Sequence, residues 1–169
     1  MNFTRRRLLL GGAAVAAGIA SAGLLAACVS PETARDATAG AFEVELAADE
    51  WRRRLTPEQY EVLREAGTER PYSSPLNDEH GRGVFGCAGC MLDLYASDTK
   101  FDSGTGWPSF WQALPNAVRE VADAALGMTR IEVLCRRCGG HLGHVFPDGP
   151  KPTGLRYCMN GVALVFRST

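Results

Sequence analysis

The sequence is short of three things. It has almost no net charge, since 18 Lys and Arg stand against 19 Asp and Glu to leave −1 at pH 7. Nothing in that balance offers the basic surface that nucleic-acid binding requires, and no nucleic-acid partner is expected. Histidine is scarce, with three in the chain, so two of them placed side by side carry weight. No internal repeat is longer than a doubled Cys-x-x-Cys, which excludes repeat arrays. What remains is ordinary for one domain plus appendages: 169 residues, 46% hydrophobic and 22% charged. Cysteine is the exception, at six residues that fall into different classes.

The N-terminus reads as a targeting segment. Arg5, Arg6 and Arg7 precede an uncharged run from Leu8 to Ala27 rich in Leu, Ala and Gly. Thr4-Arg5-Arg6-Arg7-Leu8-Leu9 resembles a twin-arginine export signal. The competing reading is a membrane anchor, because about 20 residues can cross a bilayer core; the Gly and Ala content makes that insertion weak. Leu25-Ala26-Ala27-Cys28 resembles the lipobox of bacterial lipoproteins. Residues 1–28 are therefore expected to be a signal, with Cys28 lipidated and the product exported to the periplasm on a membrane tether. Residues 29–48 show no apolar period and are expected to be a flexible linker.

The folded domain is expected over residues 49–169. Residues 49–66 read as helical, with Trp51 and Leu55 one turn apart and a second start at Thr56, where Pro57 and Gln59 complete a capping box. Gly67 is placed to end that helix in a left-handed conformation. Beyond it, short apolar runs alternate with Gly, Pro, Asn and Asp. Val84-Phe85, Leu92–Tyr95, Val118–Val121, Thr129–Leu134, Leu142–Phe146 and Leu155–Phe166 read as strands. The expectation is a mostly β domain with antiparallel sheets and an N-terminal helical flank.

Cys87-Ala88-Gly89-Cys90 and Cys135-Arg136-Arg137-Cys138 can each form a knuckle presenting two thiolates. Cys87, Cys90, Cys135 and Cys138 together make a tetrahedral four-sulfur set that suits one structural zinc ion. The long spacer means that the fold, not one hairpin, must join the knuckles. Disulfides are the alternative in an oxidising compartment. A bridge within one Cys-x-x-Cys closes a small loop and is easily reduced.

Cys158 is left over. In an extended strand Arg156, Cys158 and Asn160 share one face, and Tyr157 and Met159 the other. A guanidinium beside a thiol favours the reactive thiolate, although a buried inert cysteine is equally compatible with these residues alone. His141 and His144 lie within Gly140-His141-Leu142-Gly143-His144. With zinc satisfied by sulfur, proton transfer is the better role for them.

Three segments now come together: Phe101-Asp102-Ser103-Gly104-Thr105-Gly106-Trp107-Pro108-Ser109-Phe110, Cys138–Phe146 and Gly154–Asn160. They resemble the B-type peptide-methionine (R)-S-oxide reductases, as do Leu55–Tyr60 and Gly67–Pro71. The resemblance implies two antiparallel β-sheets, a four-cysteine zinc away from the chemistry, and thiol-dependent reduction of methionine (R)-S-oxide in peptides and proteins. It implies Cys158 as nucleophile, passing through a sulfenic acid. His144 would be proton donor or water organiser, His141 its support, and Arg156 and Asn160 would orient groups and tune the thiol. Trp107 and Phe110 would bind substrate; a plain core role is the alternative for Trp107.

One departure matters. Many members of that family carry a resolving cysteine where this chain has Thr105. The expectation is a one-cysteine cycle, finished by an external thiol or a thioredoxin-like partner, in a monomer that repairs oxidised envelope proteins. Gly161 and Pro147 are lesser departures. The other functional classes are a non-catalytic zinc module that recognises peptides, and a thiol–disulfide oxidoreductase working through its Cys-x-x-Cys pairs.

Overall fold

The computed structural model describes residues 42–124 and 130–169. The expected signal, the lipidation site at Cys28, most of the linker and Thr129 lie outside the described residues. The linker expectation needs one correction: residues 42–47 run extended along the second cysteine knuckle. The Val44 N–H donates to the Arg137 carbonyl at 2.9 Å. Val44 and Leu46 are half-buried against the core, so the packed chain begins ahead of residue 49. Phe42, Val44 and Leu46 alternate with Glu43 and Glu45, a two-residue period that the linker reading passed over, and the apolar side is the half-buried one.

Two helices follow, α1 (Ala48–Arg54) and α2 (Pro57–Glu65). The capping box at Thr56 forms: its Oγ1 accepts from the Gln59 N–H at 3.2 Å, and Gln59 Oε1 accepts from the Thr56 N–H at 3.1 Å. Helix α2 ends differently from expectation. Ala66, at φ 53°, takes the left-handed position, and Gly67 then donates to the Glu61 carbonyl at 2.9 Å. A Cβ at Gly67 would press on the Glu61 side chain and carbonyl. Glycine is thus needed for close approach there, one residue beyond the helix reversal.

Among the described residues nine strands form two antiparallel sheets: β1 (Gly83–Cys87), β2 (Asp93–Ala96), β3 (Lys100–Phe101), β4 (Ser109–Phe110), β5 (Val118–Asp123), β6 (Arg130–Cys135), β7 (His141–Phe146), β8 (Arg156–Met159) and β9 (Leu164–Ser168). The smaller sheet has the order β2-β1-β9 and the larger β3-β4-β8-β7-β6-β5. The single run expected at Leu155–Phe166 is two strands. A 3-10 turn at Gly161–Ala163 breaks it and lets the chain leave the larger sheet at β8 and join the smaller at β9. The two-residue strands β3 and β4 are too short to show a period in sequence.

The core lies between the sheets. Phe85 of β1 meets Phe110 of β4 edge-on at 5.0 Å, and Tyr95 of β2 stacks on Phe110 at 4.4 Å. Tyr157 and Met159 point into this core, the Tyr95 hydroxyl bonding the Met159 sulfur at 3.0 Å. Strand alternation therefore turns Cys158 the other way, onto the outer face of the larger sheet. Among the described residues no helix is long and apolar enough to cross a membrane.

Candidate active site and metal centre

The two knuckles meet where the sheets meet. Cys87 ends β1 and Cys135 ends β6, so the two strands bring sulfur from different sheets. Each knuckle closes on its own backbone, Met91 N–H to Cys87 carbonyl at 2.8 Å and Gly139 N–H to Cys135 carbonyl at 2.9 Å. All four sulfurs lie within 4.8 Å of one another. Cys87 Sγ is 3.7 Å from Cys138 Sγ, and Cys90 Sγ 3.5 Å from Cys135 Sγ. A disulfide would require about 2.05 Å. A tetrahedron with metal–sulfur bonds of about 2.3 Å has edges of about 3.8 Å. The spacing thus suits one four-coordinate ion, and four thiolates suit zinc. Such an ion ties the smaller sheet to the larger and is structural, because four protein ligands leave no open position.

The outer face of the larger sheet is polar across its middle. Pairing sets one row of direct neighbours: Ser109 on β4, Cys158 on β8, His144 on β7 and Glu132 on β6. Directly opposed residues in antiparallel strands place their side chains on one face about 5 Å apart. Cys158 is half-buried, with His144 on one flank and the fully buried Ser109 on the other.

His141 needs a special device to join them. Residues three apart on a regular strand face opposite ways. The β6–β7 register shifts between Val133 and Leu134, and this bulge swings His141 onto the His144 face. The rings lie 5.4 Å apart. The next residue but one is constrained as well, because a Cβ at Gly143 would overlap the Cys158 carbonyl on β8. Glycine therefore permits the close strand contact that sets the position of Cys158.

Each imidazole is held by a carboxylate. His144 Nε2 lies 3.1 Å from Asp123 Oδ2, and His141 Nδ1 2.6 Å from Glu132 Oε1. A neutral ring that donates through one nitrogen keeps a lone pair on the other. His144 is thus left with Nδ1 as acceptor, and His141 Nε2 is buried without a protein partner among the described residues. Burial pushes the His144 pKa below its ordinary 6.5, and Arg130 and His141 push the same way against Asp123. His144 is accordingly neutral near pH 7.

Arg156 stands on β8 as expected, but not as a free cation. It donates two bonds to Asp148, both at 2.9 Å, and lies over the Phe146 ring at 4.5 Å. Burial raises the Cys158 pKa above its ordinary 9.0; the Thr105 hydroxyl, Arg156 and Ser109 pull down without cancelling it. Arg156 thus favours the thiolate as the sequence suggested, but burial outweighs it. Cys158 rests as a thiol at neutral pH, because burial disfavours its charged form.

Asn160 leaves the strand and heads the Gly161–Ala163 turn, so it does not share a strand face with Cys158. Its Nδ2 donates to the Leu142 carbonyl at 3.1 Å, and its Oδ1 accepts from the Glu69 N–H at 3.0 Å. It acts on the site by fixing backbone. Trp107 is half-buried, with its Nε1 donating to the Glu69 carbonyl at 3.2 Å. Phe110 is corrected to a core residue: it is fully buried between Phe85 and Tyr95 and has no surface to offer a substrate.

Sequence reasoning passed over Asp123, Glu132, Asp148 and Glu69. The Glu69 carboxylate accepts from the Gly161 N–H at 2.6 Å and the Val162 N–H at 2.9 Å. One residue thereby ties the turn after β8 to the indole of Trp107. The only available signal for it was its place in Gly67–Pro71.

Fold and site define a two-sheet β protein with a four-cysteine zinc site and, among the described residues, one further thiol beside paired histidines. A SelR domain matches residues 55–168, and the chain belongs to the SelR domain family. It is 55% identical over 134 residues to the peptide methionine sulfoxide reductase MsrB of Leifsonia xyli subsp. xyli, covering 78% of this chain and 96% of that one. It is 57% identical over 118 residues to the protein so named in Agrobacterium fabrum, covering 69% and 87%. For that of Methanosarcina barkeri the values are 56% over 126 residues, 74% and 89%.

Proposed function

We propose that the chain reduces methionine sulfoxide in peptides and proteins to methionine, with Cys158 as nucleophile. The observation that carries this is the row Ser109–Cys158–His144–Glu132 on an outer sheet face. It gives the one described cysteine outside the metal cluster a base, a hydroxyl neighbour and access.

Neutral His144 accepts the thiol proton as the Cys158 sulfur bonds to the sulfoxide sulfur. The sulfoxide oxygen is protonated, its bond to the methionine sulfur breaks, and the hydroxyl ends on Cys158 as a sulfenic acid. Methionine gains two electrons and Cys158 loses two. His141 supports the proton path, and Trp107 supplies an apolar wall beside it. Zinc holds the two sheets together and takes no part in the steps.

Selectivity for the R epimer rests on the resemblance of the three long motifs. The test is turnover of separated R and S sulfoxides with dithiothreitol. Only the R form should react, and reduction of the S form alone would overturn the reading.

The finer proposals rest on sequence. Thr105 stands where a resolving cysteine is common, which supports a one-cysteine cycle: two external thiols, or one thioredoxin-like dithiol, return the sulfenic acid to thiol and release water. Mass spectrometry after excess sulfoxide without reductant should show sulfenic acid and no intramolecular disulfide at Cys158. Arg5-Arg6 and the lipobox ending at Cys28 support export through the twin-arginine route and a lipid tether. A monomer repairing envelope proteins is the corresponding assembly and role. Labelled palmitate incorporated into the full chain, and absent from Cys28→Ala, is the check.

A further inference from the structure

A line of hydroxyls leads to the nucleophile. Thr105 Oγ1 lies 3.8 Å from Cys158 Sγ and 2.8 Å from Ser103 Oγ. Ser103 Oγ lies 2.8 Å from Ser109 Oγ, and Ser109 donates to the Trp107 carbonyl at 3.1 Å. The loop carrying Thr105 is braced on both sides. Asp102 Oδ1 accepts from the Gly104 N–H at 2.8 Å, and the Tyr72 hydroxyl donates to the Gly104 carbonyl at 2.7 Å. The Tyr72 N–H donates to the Gly106 carbonyl at 2.7 Å.

The hydrogens in this line can be counted, because a hydroxyl has one to donate and two lone pairs. Ser109 gives its hydrogen to the Trp107 carbonyl, so it accepts from Ser103. Ser103 has then no hydrogen left for Thr105 and is an acceptor toward it. With Cys158 as thiol, S–H donates to Thr105 and Thr105 donates to Ser103. When Cys158 loses its proton the line turns over as one: the Thr105 hydrogen turns to the sulfur, the Ser103 hydrogen to Thr105 and the Ser109 hydrogen from the Trp107 carbonyl to Ser103, since either oxygen of each pair can donate. Ser103 then keeps the Thr105 backbone N–H, 3.5 Å away. Three hydroxyls in series answer the change of charge, and the two serines support the Thr105 hydrogen on the sulfur.

We propose that Ser103 and Ser109 are positioning residues that hold the Thr105 hydroxyl against Cys158, where it stabilises first the thiolate and then the sulfenic hydroxyl. This rests on Cys158 being the nucleophile. The charged or titratable groups facing the sulfur are Arg156 on its own strand, with Asp148 behind it, and His144 on β7, with Asp123 behind it.

The test is the pH profile of iodoacetamide alkylation at Cys158, followed by mass spectrometry on the zinc-loaded full chain. A lost hydrogen bond to a charged sulfur should slow alkylation at pH 8 about tenfold in Ser103→Ala and in Thr105→Val. The midpoint should move up, and Thr105→Ser should restore it. The double variant should be no slower than Thr105→Val, because Ser103 acts through Thr105. An unshifted Thr105→Val profile, or additive slowing in the double variant, would overturn the proposal. Thr105→Val keeps the shape of the side chain, so the test stands even where Ser103→Ala fails to fold. Alkylation reads thiolate and not turnover. Retained turnover in Cys158→Ser would instead sink the nucleophile reading and leave the alkylation result to stand by itself.

Discussion

Cys138 in the turn between β6 and β7 and Cys158 on the neighbouring β8 are the same residue type, and their surroundings make them different chemistry. Cys138 has another sulfur at 3.7 Å and is buried at the junction of two sheets. Cys158 has no sulfur beside it among the described residues. It has a hydroxyl at 3.8 Å, an imidazole on the next strand and a paired guanidinium on its own. Sulfur neighbours commit a thiol to a metal. Polar neighbours that store and move one proton leave it free to attack.

The comparison breaks first at Cys158. Cys158→Ser should cost at least about a thousandfold in kcat/KM with zinc content unchanged, read by turnover and a colorimetric metal assay. Unaltered turnover would favour a thiol–disulfide activity of the paired cysteines. Unaltered peptide binding without turnover in the parent would favour a recognition module.

Cys138→Ser should do the reverse in kind. Loss of one of four ligands leaves two buried sulfurs and the half-buried Cys90 without their ion, at a cost comparable to the whole stability of a domain, about 5–15 kcal/mol. Thermal melting should lose cooperativity, with activity falling only as the folded fraction falls. A variant that melts normally without metal would show that the cluster is not structural.

Gly143→Ala tests the junction of strands at the nucleophile. The added methyl meets the Cys158 carbonyl, so β7 and β8 must separate. The expected cost is about 3 kcal/mol or more, read as a lower denaturant midpoint together with lower kcat. Glu69→Gln is subtler, because the amide can accept only one of the two backbone N–H groups and turns its own donor on the other. About 1.5–3 kcal/mol of positioning is at stake. KM should rise and kcat should fall as Trp107 and the 161–163 turn loosen together.

The smallest effect is in pH. Burial lowers the His144 pKa below 6.5, so its neutral form persists into weakly acid solution. The acid limb of kcat/KM should therefore lie below pH 6.5. It should move up in Phe146→Ala, which relieves the burial of His144, as read from a pH–rate profile. A limb that stays in place would mean that Phe146 does not set the imidazole's exposure.

Much of the site was legible in the chain itself. The Cys-x-x-Cys spacing marks four ligands, because a knuckle needs two sulfurs three positions apart. Cys158 follows from what those leave. The capping box at Thr56 and the alternation that turns Tyr157 and Met159 inward are local, and local chemistry is written in adjacent residues. The carboxylates were not legible. Asp123 reaches His144 from 21 residues away, and Glu69 reaches Gly161 from 92. Nothing near Asp123 in sequence distinguishes it from an ordinary surface residue, and Glu69 is marked only by its place in Gly67–Pro71. Phe110 misled for a related reason: it sits in a segment rich in site residues, but strand alternation sends it inward beside Tyr95.

By itself the sequence determined the four-cysteine metal set and the strands long enough to show a period, since each depends on residue type and short spacing, while the role of Cys158 rested on the resemblance of longer motifs. Only the tertiary structure decided which face His141 occupies, which acids hold the imidazoles, and that burial outweighs Arg156 at the thiol. Those depend on a bulge, on cross-strand register and on exclusion of water, and each exists only once distant segments have packed.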